Sequence, residues 1–278
     1  MGPHAVKDPV YVCGHASDEL DRLQLQAAFF EDMTRTTFQA AGLQAGFRVL
    51  DIGCGAGDVS FLAADIVRST GSVVGVDRSP DAIARARRRT HEDNRTNVTF
   101  RIGPIGEIAD LGQFDALVGR FVLMHQADPA TTLRACVRHV RPAGLVIILE
   151  SAMSACVAGV HSSPHSPTYD RITGIITTTL AAAGADVSMG FRLHDVFERA
   201  GLPRPTMRLQ ARVEGGPDAP IYRYISDSLR SVLPAATRLA SSVETLHTDR
   251  LEDELRAEVL RTDGVLVSPL VIAAWTSV

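Results

Sequence analysis

Long apolar runs are missing from this chain of 278 residues. None approaches the roughly 20 residues that a bilayer-spanning helix needs, so the longest apolar stretches are expected to be buried strands. The opening MGPHAVKDP also lacks the apolar core of a secretory leader. Cysteine is scarce. Cys13, Cys54, Cys136 and Cys156 form no Cys-x-x-Cys pair and no tight framework, which points to reduced thiols in a cytoplasmic setting. A concentration of one charge is absent too. The formal net charge is −4, and the one basic block, Arg85 with Arg87, Arg88 and Arg89, falls on an expected surface helix. Nucleic-acid binding needs a concentrated basic face, so a nucleic-acid partner is disfavoured along with a membrane partner. Repeats and low-complexity tracts are also lacking.

What is present is an alternation. Residues 17–41 carry Leu20, Leu23, Ala27 and Phe30 at helical spacing behind a capping Ser17. Short apolar runs then recur at 48–52, 72–76, 97–102, 114–118 and 145–150, the last entered through the turn Pro142-Ala143-Gly144. Helical segments lie between them. Ser79-Pro80 and Asp128-Pro129 each combine a capping side chain with a proline at the first helical position. Five strands alternating with helices predict a parallel sheet covered on both faces. The second half is less regular. Helices are expected at 172–183, 191–200, around Ile221 to Leu233 and around Leu251 to Val259. Strands are expected at 206–213 and 265–275, the latter at an edge or with a bulge because Pro269 cannot donate to a ladder. The fold class is therefore α/β, Rossmann-like, a mostly parallel seven-stranded sheet with helices on both faces. Residues 1–47 form an N-terminal helical lid. Residues 48–278 form the main domain, with helical cap segments at about 163–183 and 216–262.

The chemistry concentrates at Gly53-x-Gly55-x-Gly57, which follows one strand and opens a helix. Glycines there let a ligand approach the backbone closely. Any tight strand-to-helix turn could use them, so the turn alone is weak evidence. Asp77 adds weight. It ends the next strand, about 20 residues on, where a carboxylate can accept both ribose hydroxyls of an adenosine ligand. A dinucleotide site would use it in the same way. The spacing separates the two, because the dinucleotide fingerprint needs a small third glycine where this chain has Asp58.

Residues 49–58, VLDIGCGAGD, resemble the first motif of class I S-adenosylmethionine (SAM)-dependent methyltransferases, and 75–80, GVDRSP, resemble the second. FDALVGRFVLMHQADP (114–129) and VRPAGLVIILE (140–150) are similar to the family's motifs at the fourth and fifth strands. The likeness runs in order over residues 48–150 and is nearest to the ubiquinone/menaquinone-type branch with its natural-product members. It implies SAM as cofactor and S-adenosylhomocysteine (SAH) as product. It places Gly53, Gly55 and, less directly, Asp51 at the methionine part, Asp77 at the ribose and Arg78 beside the adenine. The loop after the third strand reads Gly103-Pro104-Ile105-Gly106-Glu107, with Pro104 where the family has an acid. That leaves the backbone of Ile105 and Gly106 for the adenine. Arg120 falls near the methionine carboxylate or the sulfonium. Tyr11 and Gln26 are the polar candidates on the N-terminal lid, the plain alternative for Gln26 being a solvated helix face.

Methyl transfer from a sulfonium is an in-line displacement in which orientation supplies much of the rate, and an oxygen or nitrogen nucleophile can also use a base. His125 follows the fourth strand; His161 and His165 lie near Tyr169 in the loop after Glu150; His15 lies in the N-terminal segment. His125, His161 and Tyr169 are the catalytic candidates, each weighed against a packing role. His161 and His165 lack a third ligand, and no carboxylate cluster suggests magnesium, so no metal is expected. The expected function is methyl transfer to a small-molecule acceptor, a specialised metabolite, with a homo-oligomer left open. Two alternatives stay open: a nicotinamide-dependent oxidoreductase, disfavoured by Asp58 and by the want of a Tyr-x-x-x-Lys pair, and a non-catalytic SAM-binding protein.

Overall fold

The computed structural model describes residues 17–107, 111–155, 161–239 and 248–278. Five strands, β1 (Arg48–Ile52), β2 (Ser72–Asp77), β3 (Val98–Ile102), β4 (Phe114–Arg120) and β5 (Val140–Ser151), pair in parallel. Their apolar runs are continuous because helices cover both faces: Val49, Leu50, Leu117 and Ile147 are fully buried. Two short strands, β6 (Ser162–Ser163) and β8 (Val213–Gly215), stand outside this sheet, which is completed by β7 (Thr206–Gln210) and β10 (Val271–Ser277). The order is β3-β2-β1-β4-β5-β10-β7, and β10 runs antiparallel to both its neighbours.

The helices are α1 (Ser17–Ala41), α2 (Asp58–Val67), α3 (Pro80–Glu92), α4 (Pro129–Val137), α5 (Pro167–Ala182), α6 (Met189–Ala200), α7 (Ile221–Leu239) and α8 (Leu251–Arg261). Ser79, Asp128 and Ser166 cap three of them through the N–H of Ala82, Thr131 and Tyr169, each followed by proline. The third cap starts α5 earlier than the periodic Ile172 suggested. α5 and α7 pack on each other, and α1 packs on α7, above the carboxyl ends of the strands.

Three expectations are corrected. The runs at 206–213 and 265–275 are not single strands. Each divides between the main sheet and a small sheet of order β6-β9-β8, where β9 is Val265–Val267. Pro269 has no N–H to continue the ladder. At the break the Ser268 hydroxyl accepts from the Arg212 N–H at 2.9 Å, while the Ser268 N–H bonds the Arg212 carbonyl at 2.8 Å. The Pro142-Ala143-Gly144 turn is likewise an irregularity inside β5. Phe114 pairs with Val140 before it, and pairing resumes at Ala116 with Leu145. A side chain at Gly144 would meet Val140 Cγ1 at 2.5 Å.

Candidate functional site

Strand order reverses between β1 and β4, and in such sheets the crevice beyond the carboxyl ends at that point is where ligands bind. A cavity of about 380 Å³ opens there. Its floor is the glycine turn, whose three glycines do different work. All have positive φ: 65° at Gly53, 52° at Gly55 and 93° at Gly57. A Cβ on Gly53 would lie 2.3 Å from Val122 Cγ2, and one on Gly57 2.8 Å from Phe100 Cζ. Those two serve packing. A Cβ on Gly55 would meet nothing within 4 Å, so this is the glycine that leaves backbone open to a ligand.

Asp77 supports the turn. Its Oδ2 accepts from the Gly55 N–H at 3.0 Å and its Oδ1 from the Ser79 N–H at 2.8 Å. A carboxylate oxygen has a second lone pair, so Asp77 can still accept from hydroxyls in the cavity it lines. Asp58, at the N-terminus of α2, is paired with Arg89 at 2.8 Å and also lines the cavity. A carboxylate at that helix terminus occupies the field that would otherwise attract a pyrophosphate, which disfavours a dinucleotide. Arg78, Ile105 and Gly106 line the same side. The Ile105 carbonyl accepts from Cys136 Sγ at 2.9 Å, a thiol that burial pushes up to about 12 and so keeps protonated. Glu107 lines the cavity as well. Sequence reading passed over it by testing only Pro104; the signal was that it is the one acid in the 103–107 loop.

Asp51 does not line the cavity. It lies buried behind the turn, its Oδ2 accepting from Ser60 Oγ at 2.6 Å, and burial pushes its carboxyl up to about 7. Arg120 does line it, and its Nη1 donates to Thr34 Oγ1 at 2.9 Å, tying β4 to α1. Burial lowers the Arg120 pKa. Gln26 faces the cavity from α1 together with Phe30. Tyr11 and His15 lie outside the described residues.

The three catalytic candidates separate. His125 lines the cavity, where burial and then Arg78 depress it to about 4. It is neutral at pH 7 and a weak base. His161 and Tyr169 are not brought to the cavity. Pairing of β6 with β9 draws this segment aside. His161 Nε2 lies 2.5 Å from Asp170, which also holds His165 at 2.6 Å. The fully buried Tyr169 donates its hydroxyl to the Val267 carbonyl at 2.8 Å. Among the described residues, no group of three or more His, Cys, Asp or Glu side chains could hold a metal ion, and no helix is long and apolar enough to cross a membrane.

The other half of the cavity is apolar. Met153 follows β5, Ile176 and Leu180 come from α5, and Ile225 and Val232 from α7. The loop between the halves is held by Glu150, whose Oε1 accepts from the N–H groups of Val122 at 2.9 Å and Leu123 at 2.6 Å. Burial pushes this carboxyl up to about 8. Phe121, just before those donors, sits at φ 56°, backbone that a non-glycine residue seldom adopts.

The chain has counterparts among known proteins. A family model described as a methyltransferase domain matches residues 43–201. The ubiquinone biosynthesis O-methyltransferase of Acinetobacter baumannii (strain AYE) is 34% identical over 110 residues, covering 39% of this chain and 45% of that protein. The demethylmenaquinone methyltransferase of Shouchella clausii (strain KSM-K16) is 24% identical over 219 residues, covering 74% and 89%. The match to the first relative thus spans less than half of that protein's length. Among solved structures, the YcgJ protein of a Bacillus species superposes with a TM-score of 0.55 at 15% identity, covering 88% of this chain and 98% of that one. The [4+2]-cyclase SpnF superposes with a TM-score of 0.52 at 17% identity, covering 89% and 80%. These two likenesses concern the fold, which hosts more than one chemistry.

Proposed function

The chain belongs to the methyltransferase-domain family, class I and SAM-dependent, and from that premise we propose that it transfers a methyl group from SAM to a small apolar acceptor, a specialised metabolite. The observation that carries this reading is the two-sided cavity at the strand-order switch. Its donor set fits the cofactor: a carboxylate at Asp77 for the ribose diol, open backbone at Gly55, a second acid at Glu107 for the adenine amino group, and Arg120 for the methionine carboxylate. Arg78, Ile105 and Gly106 would flank the adenine, while Asp51 would support the turn from behind without contact.

When bound, SAM supplies an activated methyl group on sulfur. The chain's own part is orientation and exclusion of water. Gln26 and Phe30 cover the cavity from α1, and α5 with α7 form a cap over the acceptor side. Specificity belongs to that cap, since α7 lies outside the region shared with the family model. His125, held neutral, is assigned to hydrogen bonding rather than to proton abstraction. No metal enters this reading, and the scarcity of cysteine supports a cytoplasmic setting.

Calorimetry with SAH tests the reading on the full chain and on a chain lacking residues 1–16. SAH should bind the full chain; a folded protein that ignores SAH would sink the proposal. If the N-terminal segment acts as a lid, the shortened chain should unfold at the same temperature yet lose most of its methyl-transfer turnover. Full activity with unchanged SAH affinity would remove the lid.

A further inference from the structure

The segment from Phe121 to Gln126 joins β4 to α4 through a short 3-10 turn, Leu123–His125. The first N–H groups of such a turn have no partner within it. Glu150, on the neighbouring β5, supplies one: its Oε1 takes both the Val122 and the Leu123 N–H. Its Oε2 is buried with no hydrogen-bond partner among the described residues, so Oε1 carries the hold. Burial, opposed by the N–H groups of Leu123, Val122 and Met124, keeps this carboxyl at about 8, with Asp186 adding to the rise. A neutral carboxyl still accepts through its carbonyl oxygen.

The held segment reaches two walls of the site. It begins at Phe121, whose φ of 56° persists only where neighbours over-determine the backbone. Val122 then packs on the glycine turn, so closely that a Cβ on Gly53 would meet its Cγ2 at 2.3 Å. Farther on, the Met124 carbonyl accepts from the Asp186 N–H at 2.9 Å, in the connection between α5 and α6. That connection is itself fastened. Asp186 Oδ1 accepts from the Ser188 N–H at 3.0 Å, its Oδ2 pairs with Arg192, and Ser188 Oγ donates to Ser154 Oγ at 2.8 Å. Met124, His125 and Gln126 line the cavity. The turn that would receive the cofactor and the connection that ends α5 are thus joined through one segment and one carboxyl.

We propose that Glu150 is a positioning residue for methyl transfer: its carboxyl holds residues 121–126 so that the cofactor turn and the acceptor wall keep one fixed relation. The inference rests on the cofactor reading above and adds the residue on which both walls depend.

The test compares Glu150→Gln, which keeps the accepting oxygen, with Glu150→Leu, which removes it at similar volume and leaves two buried donors unpaired. In calorimetry, SAH affinity should fall about tenfold or more in Glu150→Leu and stay within about twofold of the parent in Glu150→Gln. NMR of the His125 ring, identified by its loss in His125→Asn, reads the other wall. In the parent this ring should titrate at about 4. In Glu150→Leu a loosened wall admits water and should raise that value by about one pH unit or more, while Glu150→Gln should keep the parent's value. The parent supplies a third reading, which decides the matter should Glu150→Leu not fold: the Val122 and Leu123 N–H resonances should shift together near pH 8. Asp186 and Arg192 face Glu150 in the parent and in Glu150→Gln alike, so loss of the shift in Glu150→Gln assigns it to this carboxyl. Three results would each overturn the proposal: a folded Glu150→Leu with the parent's SAH affinity or the parent's His125 titration, losses in Glu150→Gln equal to those in Glu150→Leu, or no shared shift at Val122 and Leu123 in the parent. Failure of SAH to bind the parent is a separate result, which would overturn the cofactor reading and this proposal with it.

Discussion

On the β1–β3 side of the cavity the backbone does most of the shaping; on the side of α5 and α7, side chains from distant segments do it. Gly53, Gly55 and Gly57 bend the chain, and Asp77 pins the bend through two N–H groups. The opposite wall assembles Phe30, Ile176 and Tyr224 from three helices and Met153 from the turn after β5. The difference teaches where each kind of substitution should act. Changes on the backbone-built side should strike folding and cofactor affinity together. Changes on the side-chain-built side should strike acceptor choice and leave the fold alone.

The largest effect should come at Gly53. Gly53→Ala forces a Cβ to within 2.3 Å of Val122 Cγ2 at φ 65°, and should cost about 3 kcal/mol or more in urea unfolding, from overpacking added to backbone strain. Gly55→Ala has open space and should cost only about 1 kcal/mol in the same assay. Equal losses at both sites would break the distinction between packing glycine and ligand-facing glycine.

Asp77→Ala should come next. It removes a charged hydrogen-bonding group, and SAH affinity should fall by about 1.5–3 kcal/mol in calorimetry. Unchanged affinity in a folded variant would take Asp77 out of the site.

The smallest effect sharpens the comparison through pH. One buried acid lies under each half: Asp51 behind the turn, raised from 3.8 to about 7, and Glu150 under the loop after β4, raised from 4.5 to about 8. A raised carboxyl binds its proton more firmly in the folded state. Its contribution is therefore complete below the unfolded value and is lost as pH rises through the folded one. Stability should decline from about pH 4 to 8 on their account. Between pH 7 and 8 most of the slope should belong to Glu150, at most about 1.4 kcal/mol per pH unit. Glu150→Gln keeps an acceptor for the Val122 and Leu123 N–H groups and should flatten that last interval in thermal melts. A slope identical to the parent's would assign it elsewhere.

The same contrast explains what could be read from the sequence. The turn, Asp77 and the capped starts of α3 and α4 are local patterns, each written within a few residues, and all appear where expected. Tyr224 carries no such pattern: only the packing of α7 on α1 brings it to Phe29 and Phe30. His161 and Tyr169 misled by proximity in the chain. They follow β5 closely, but the pairing of Ser162–Ser163 with Val265–Leu266 carries them off to the small sheet. The run at 206–213 alternates without a turn signal and the run at 265–275 is interrupted only at Ser268-Pro269, and periodicity cannot register a change of sheet.

The position of β10 has a consequence for the order in which the molecule can assemble. β10 follows β7 in the chain yet lies between β5 and β7 in the sheet. As the chain emerges from the ribosome, β1 to β5 can associate early, but β7 then has no partner to pair with. Until Val271–Ser277 inserts, both β5 and β7 present bare edges of unpaired backbone groups, the kind of surface on which chains aggregate. Insertion of this one segment closes the facing edges of β5 and β7 at once and leaves β3 and the far side of β7 as the edges of the finished sheet.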